Sequence, residues 1–361
     1  MTRMLLFNST ELRAFVARFF ETYGVPAADA AIAADVLVAA DERGVESHGV
    51  IRLKSYYGSR LSAGLMLPQA ELRTLAETPA TLALDAGNTL GQPAAYRAMQ
   101  RCMEKAHQSG LALVTLRNSN HYGIAGYYAM MALEQGLIGI SSTNSQPLVA
   151  PTYGRTRLLG TNPIAVAVPA GRNRPYVLDM ATSIVPIGRM TVFQQRGEDI
   201  PAGWGVDGDG HVTTDPGQVL NGGALMPLGG VDLMRGYKGY GLALLVDLFC
   251  GVLAGAGFGS QVGGTDRPAN VGHCFAAVRV DAFRPAAEFL SDMDALIEEL
   301  KNAPKELGQE RIYIHGEKEF ERAEAARLNG VPLMEATVAA LRSAGRESGA
   351  PFDLTPLGET A

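Results

Sequence analysis

Leu111-Ala112-Leu113-Val114-Thr115-Leu116 is the run whose reading decides how this chain is built. It is short and apolar, and the polar turn Asn118-Ser119-Asn120-His121-Tyr122-Gly123 follows it, the pattern of a buried strand. Upstream, Thr81-Leu82-Ala83-Leu84-Asp85 predicts another strand, with a helix over about Gln92 to Gln108 between the two. Downstream, a helix reaching Glu134 leads into the strand Leu137-Ile138-Gly139-Ile140-Ser141-Ser142. Ile164 to Val168, Tyr176 to Leu178 and Cys274 to Val280 read as further strands. Helix and strand alternate with short turns, which predicts an α/β lobe, and no internal repeat is present.

Working outward, helical periodicity takes over. Leu12, Phe15, Val16, Phe19 and Phe20 lie on one helical stripe, with Ser9 or Thr10 as its cap and Gly24-Val25-Pro26 as its stop. Helices are expected from Pro26 to about Ala40 and from Gly49 to Ser62, the latter with Val50, Leu53, Tyr57 and Leu61 in register. A long apolar helix runs from Gly239 to about Ala254, with Asp247 facing a polar contact or solvent. A helix over Pro285 to Lys301, a short strand over Arg311 to Ile314, and helices over Lys318 to Leu328 and Leu333 to Ala344 complete the chain. The chain therefore divides into a largely helical lobe, residues 1–75 plus about 285–361, and an α/β lobe, residues 76–284.

Composition bounds the function. The 361 residues are 47% hydrophobic and 19% charged, which is globular. Thirty-one basic and 37 acidic side chains give a net charge of -6, which argues against a nucleic-acid surface. No apolar run long enough for a membrane span escapes interruption by charge or Gly. The segment Met1 to Phe7 is too short for a signal peptide. Cys102, Cys250 and Cys274 are far apart among apolar neighbours, which reads as buried free thiols and a cytoplasmic location.

Asp41-Glu42-Arg43-Gly44-Val45-Glu46-Ser47-His48-Gly49-Val50-Ile51-Arg52 concentrates chemistry where a helical pattern breaks. His48 suits proton transfer near neutral pH, and Arg52 can grip a carboxylate with two parallel hydrogen bonds. Ser47 is no hydrolase nucleophile: adjacent side chains seldom point at each other, and no Gly-x-Ser-x-Gly surrounds it. His48 and His121 both sit in small-residue, glycine-bordered loops; either is a functional imidazole, a helix cap or a core hydrogen-bonding group. His107 and His211 read as exposed, His273 and His315 as structural. Asp179 ends an apolar strand and reads as a turn residue or as a partner of a histidine or cofactor.

Several familiar sites are excluded. Gly255-Ala256-Gly257-Phe258-Gly259 has the wrong spacing and follows a helix, so it is not a Rossmann phosphate loop. No phosphate-binding Gly-x-x-x-x-Gly-Lys pattern, His-Glu-x-x-His or paired cysteines occur, and Asp207-Gly208-Asp209-Gly210 fails the calcium-loop spacing.

Five runs in one order carry a resemblance: Ser47-His48-Gly49-x-x-Arg52, Asn120-His121-Tyr122-Gly123-Ile124-Ala125-Gly126, Leu159-Gly160-Thr161-Asn162-Pro163, Leu178-Asp179-Met180-Ala181-Thr182-Ser183 and Lys238-Gly239-Tyr240-Gly241. Together, from about residue 8 to 345, they resemble the malate/L-lactate dehydrogenase family distinct from the Rossmann enzymes. Its relatives include sulfolactate and ureidoglycolate dehydrogenases, diketogulonate reductase and Δ1-piperideine-2-carboxylate reductases. Tyr122 stands where many relatives have Phe.

The resemblance implies an α/β fold with an atypical nicotinamide-binding sheet lobe packed against a helical substrate and dimerisation lobe. It implies NAD or NADP as cofactor, a small carboxylate substrate, a homodimer with sites near subunit contacts, and no metal. By motif, His48 exchanges a proton at the substrate oxygen, Ser47 and Asp179 support it as a relay, Arg52 holds the carboxylate and Thr161 lies near the substrate. His121 is a second acid/base candidate. Cofactor contacts are expected from His121, Ser145, Asp179, Met180, Ala181, Lys238, Gly239, Gly316, Glu317 and Lys318. The expected reaction is hydride transfer between the nicotinamide and C2 of a 2-hydroxy or 2-keto acid. The alternatives are NADPH-dependent reduction of a cyclic imine acid, and a metal-assisted lyase or hydrolase using His48, His121 and Asp179. NAD and NADP stay open, with Arg117, Arg155 and Arg157 as candidate partners for a 2′-phosphate.

Overall fold

The structure, a computed structural model, describes residues 4–360. Met1 to Arg3, part of the segment read as too short for a leader, and Ala361 lie outside them. A seven-stranded sheet forms the centre, in the order Arg73–Glu77, Thr81–Asp85, Leu111–Ser119, Val271–Arg279, Leu137–Thr143, Ile164–Val168, Tyr176–Met180. Thr81–Asp85 and Leu111–Ser119 run parallel, joined by the helix Gly91–Ser109; the other neighbours are antiparallel. The sheet is therefore not doubly wound. Val271–Arg279 enters between Leu111–Ser119 and Leu137–Thr143, so Phe275 faces Val114 on one side and Ser141 on the other. The helix Gly91–Ser109 buries Ala95, Ala98, Met99, Cys102 and Ala106 at helical spacing in a core shared with Val114, Leu116 and Phe275. Each large side chain so buried contributes about 1.5–3 kcal/mol.

A second core gathers residues from the first three helices and from the helix near the end of the chain. Leu12, Phe15, Val16, Phe19 and Phe20 pack, as their spacing predicts, with Leu37, Leu53, Tyr57 and Leu341. Asn8, not Ser9 or Thr10, caps this helix: its Oδ1 accepts the N–H groups of Thr10 at 2.9 Å and Glu11 at 3.1 Å. The strand Met4–Phe7 pairs with Val331–Met334 and Gly358–Thr360, which ties the first and last described strands into one three-stranded sheet. The helix expected to begin at Leu333 starts instead at Glu335, because Val331–Met334 is claimed by that pairing. Arg311 to Ile314 is irregular rather than a strand; the Ile314 N–H goes to the Glu317 carboxylate at 3.1 Å. The helix Ala286–Asn302 is tied towards the sheet by Asp294, which accepts the N–H groups of Arg172 and Asn173.

A smaller cluster around Val149, Leu159, Met190, Val219 and Leu225 carries the glycine-rich stretch. There Asp207 Oδ1 accepts the N–H groups of Asp209 and His211 at 2.9 Å each, an aspartate-closed turn between two short strands.

Candidate active site

The helix Ala27–Glu42 carries Asp41 into the interior, where it is 1% exposed and its Oδ2 accepts the Val50 N–H at 2.8 Å. A Cβ on Gly49 would stand 2.1 Å from Asp41 Oδ1, so only glycine lets the backbone cross this carboxylate. That pin explains why no continuous helix spans Gly49 to Ser62. A single tight turn, Glu46–His48, comes first, then a wide-turn helix over Leu53–Gly58 and a last α-turn over Ser59–Ser62. Contrary to the expectation for adjacent side chains, Ser47 Oγ lies 2.9 Å from His48 Nδ1. The tight turn, closed by the His48 N–H on Val45 O at 3.0 Å, brings the two groups together. Arg52 Nε donates to Ser47 O at 2.8 Å, and the terminal guanidinium nitrogens have no partner among the described residues.

The loop after Leu111–Ser119 supplies the second imidazole. Asn120 anchors it, donating to Thr89 O at 2.9 Å, and Gly91 packs directly under His121 O. The His121 ring stacks on His48 with centroids 5.4 Å apart and planes at 22°. Its Nδ1 is 2.6 Å from the Tyr57 hydroxyl, and its N–H donates to Tyr56 Oη at 3.3 Å. Burial, aided by the Arg52 charge, lowers the His48 pKa to about 4. Burial also holds His121 well below the ordinary histidine value, with His48 and Arg52 adding to the effect. Both rings are neutral at pH 7.

Asp179 stands on Tyr176–Met180, the outer strand of the sheet, and its Oδ2 accepts the Gly126 N–H at 2.7 Å. Its surface is partly open to solvent while protein packs closely around the rest of it. That burial lifts its pKa to about 6, against the Gly126 hydrogen bond and the Arg43 charge. No hydrogen bond joins Asp179 to Ser47 or His48 among the described residues; the carboxylate instead accepts from the first turn of the helix Ala125–Met131, which follows the His121 loop.

Beyond Asp179 the wall continues. The Thr182 N–H bonds Thr161 O at 2.8 Å, and the Thr161 N–H bonds Ser145 Oγ at 3.1 Å. Asn162, left-handed at φ 36°, accepts the Ser145 N–H at 3.1 Å and donates to Ala243 O at 2.9 Å. The Leu228 N–H bonds Thr182 O at 2.8 Å, and Gly239 packs on Leu228, where a Cβ would lie 2.2 Å from its carbonyl oxygen. Ser145, Thr161, Met180, Ala181 and Gly239 are thus contiguous, with Lys238 exposed beside them. Gly316, at φ 93°, sits against Val177. Glu317 is occupied by Lys301, Arg311 and the Ile314 N–H, and Lys318 Nζ stands 4.3 Å from the Tyr313 ring centroid.

This wall fits a nucleotide cofactor. Among the described residues the sheet ends at Tyr176–Met180 with no further strand, and glycines let backbone lie close. His121 Nε2 and Lys238 Nζ have no partner among the described residues. Arg117, Arg155 and Arg157, by contrast, are engaged by Asp85, Asp209 and the carbonyls of Val219, Leu220 and Gly223. His107, His211 and His315 are exposed; His273 is buried between Thr143 and Ser119. Among the described residues no three His, Cys, Asp or Glu side chains converge as a metal site, and no helix is long and apolar enough to cross a membrane. Sequence reasoning missed Asp41, Arg43 and the polar roles of Tyr56 and Tyr57. The Arg52-to-Tyr56 spacing of four was the available signal for the tyrosines.

The family described as malate/L-lactate dehydrogenase matches residues 7–342, and the chain belongs to it. It is a dehydrogenase that works with a nicotinamide cofactor. The chain is 47% identical to a malate dehydrogenase of Pyrococcus abyssi, covering 94% of each chain. It is 39% identical to an L-sulfolactate dehydrogenase of Methanocaldococcus jannaschii, covering 86% of this chain and 88% of the relative. The solved malate dehydrogenase of Entamoeba histolytica superposes with a TM-score of 0.92 at 32% identity, covering 97% of this chain and 99% of the other.

Proposed function

We propose that this enzyme transfers hydride between a nicotinamide ring and C2 of a small 2-hydroxy or 2-keto acid, with His48 as acid/base and Arg52 as carboxylate clamp. The observation that carries the reading is one arrangement: a neutral imidazole whose Nδ1 meets Ser47, beside a guanidinium whose terminal nitrogens are unpaired among the described residues. The bound cofactor supplies the hydride donor or acceptor. His48 removes or returns the proton on the C2 oxygen, and Ser47 passes it onward. Arg52 fixes the carboxylate by two parallel N–H bonds and so orients C2. An anion on Arg52 offsets the charge that helps hold His48 low, so substrate binding raises the basicity of the imidazole when it is needed. Asp179 supports the reaction by keeping the His121 loop in place. Ser145, Thr161, Met180, Ala181 and Lys238-Gly239 form the cofactor side, with Gly316 behind it.

Malate and L-sulfolactate, named for the relatives, are both 2-hydroxy acids with a second anionic group, which makes such diacids the first substrates to test. Nicotinamide absorbance with malate, lactate, sulfolactate, ureidoglycolate and cyclic imine acids ranks them. His48→Ala lowers turnover about 100-fold or more on this reading; near wild-type kcat would refute it.

The apolar helix Tyr237–Asp247 and its wide-turn continuation Leu248–Leu253 support a homodimer. One side buries Ala243, Val246 and Cys250, while Leu244, Leu245, Leu248, Phe249, Val252 and Leu253 stay exposed. A helix apolar all round is normally covered all round, and a second copy covers this face.

A further inference from the structure

Two stacked imidazoles pose a question of proton traffic, and the groups behind His121 answer it. The Gly123 N–H points at His121 Nδ1 from 3.3 Å. A backbone N–H can only donate, so Nδ1 is an acceptor and the neutral ring carries its proton on Nε2. The Tyr57 hydroxyl, 2.6 Å from the same nitrogen, must then donate as well; its other acceptor within reach, His121 O, is farther at 3.4 Å. The Tyr57 ring is fully buried, edge-on to Phe20 at 5.7 Å and Tyr56 at 5.1 Å, so its hydroxyl is aimed by the core of the helical lobe. Behind it lies the buried side-chain amide of Gln92, close enough to act on the Tyr57 hydroxyl.

We propose that Tyr57 is a positioning residue that, with the Gly123 N–H, fixes His121 as a neutral Nε2–H donor, leaving proton exchange to His48. The titratable and charged groups around His121 agree with this division. His48 and Arg52 face it from one loop, Tyr56 and Tyr57 from the wide-turn helix, and His273 from the central sheet. Arg52 is the cation among them, and it opposes a second positive charge on the ring. A fixed N–H donor can hydrogen-bond the substrate oxygen or a cofactor amide in both directions of reaction without taking up a proton.

The kinetic part of this inference rests on the assignment of His48 above; the tautomer part does not. The test uses the full-length enzyme, labelled with ¹⁵N at histidine and free of ligand. Two-bond proton–nitrogen correlations identify the protonated nitrogen, with His121→Gln to assign the signals. The expected result is more than about nine-tenths Nε2–H at His121 between about pH 6 and 8. In Tyr57→Phe, which keeps the buried ring but leaves only the longer Gly123 N–H contact on Nδ1, the Nε2–H fraction falls and kcat falls about tenfold, while KM for the acid stays within about twofold because Arg52 is untouched. An Nδ1–H tautomer in the wild type overturns the proposal, as does a Tyr57→Phe enzyme with tautomer and kcat unchanged. Full activity in His48→Ala would instead remove the reading of the reaction and leave the tautomer result standing.

Discussion

His48 and His121 stack with ring planes 22° apart and centroids 5.4 Å apart, so a proton on one opposes a proton on the other. Their loops come from segments more than seventy residues apart in the chain, one after the helix Ala27–Glu42 and one after the strand Leu111–Ser119.

The first consequence concerns pH. Because the His48 pKa is lowered to about 4, its base form persists as the pH falls through the ordinary histidine value of 6.5. For oxidation of a 2-hydroxy acid, kcat/KM, which reports the free enzyme, stays level down to about pH 5 and drops towards pH 4. The acid limb of kcat lies higher, since bound carboxylate offsets Arg52. A kcat/KM limb centred at the ordinary value contradicts the neutral pair.

Arg52→Lys keeps the charge and loses the fork. KM for the acid rises about tenfold or more, equivalent to about 1.4 kcal/mol, with a smaller change in kcat. Initial rates over a substrate series measure the split.

Gly49→Ala places a methyl group on the Asp41 carboxylate and pushes the Ser47-His48 turn out of position. The expected loss in kcat/KM is about 100-fold, with helical circular dichroism retained because the clash is local.

Asp179→Asn tests the raised carboxylate. With its pKa at about 6 in the folded chain and the ordinary value at 3.8, the folded state binds more protons than the unfolded one between these values. Stability therefore falls as the pH rises through that window, and the full penalty stands above about pH 6. Asparagine removes it. Solvent on the open side screens the effect, so the Tm gain is about 2 °C at pH 8 and smaller at pH 5. An equal gain at both values contradicts the assignment.

Leu248→Glu puts a charge on the exposed apolar helix, where Leu248 is 46% exposed. Light scattering after size exclusion reports a monomer for the variant and a dimer for the parent if two copies share this face.

Much of this protein is legible along the chain. The stripe Leu12 to Phe20 and the strands at Thr81, Leu111 and Leu137 are periodic patterns, and periodicity is a short-range property that a linear reading captures. The Ser47-His48 and Asn120-His121 motifs likewise stand out by residue type and glycine neighbours. What they do not contain is each other. Only folding inserts Val271–Arg279 into the middle of the sheet, because an apolar run accepts any strand of matching face and its partner is chosen by the packing of the whole. Tyr57 shows the same boundary at one atom. Its place on an apolar stripe announced a buried ring, yet its hydroxyl found a nitrogen from a loop 64 residues further along the chain. The lowered histidines and the raised Asp179 arise the same way, from desolvation that exists only once distant segments close around a charge.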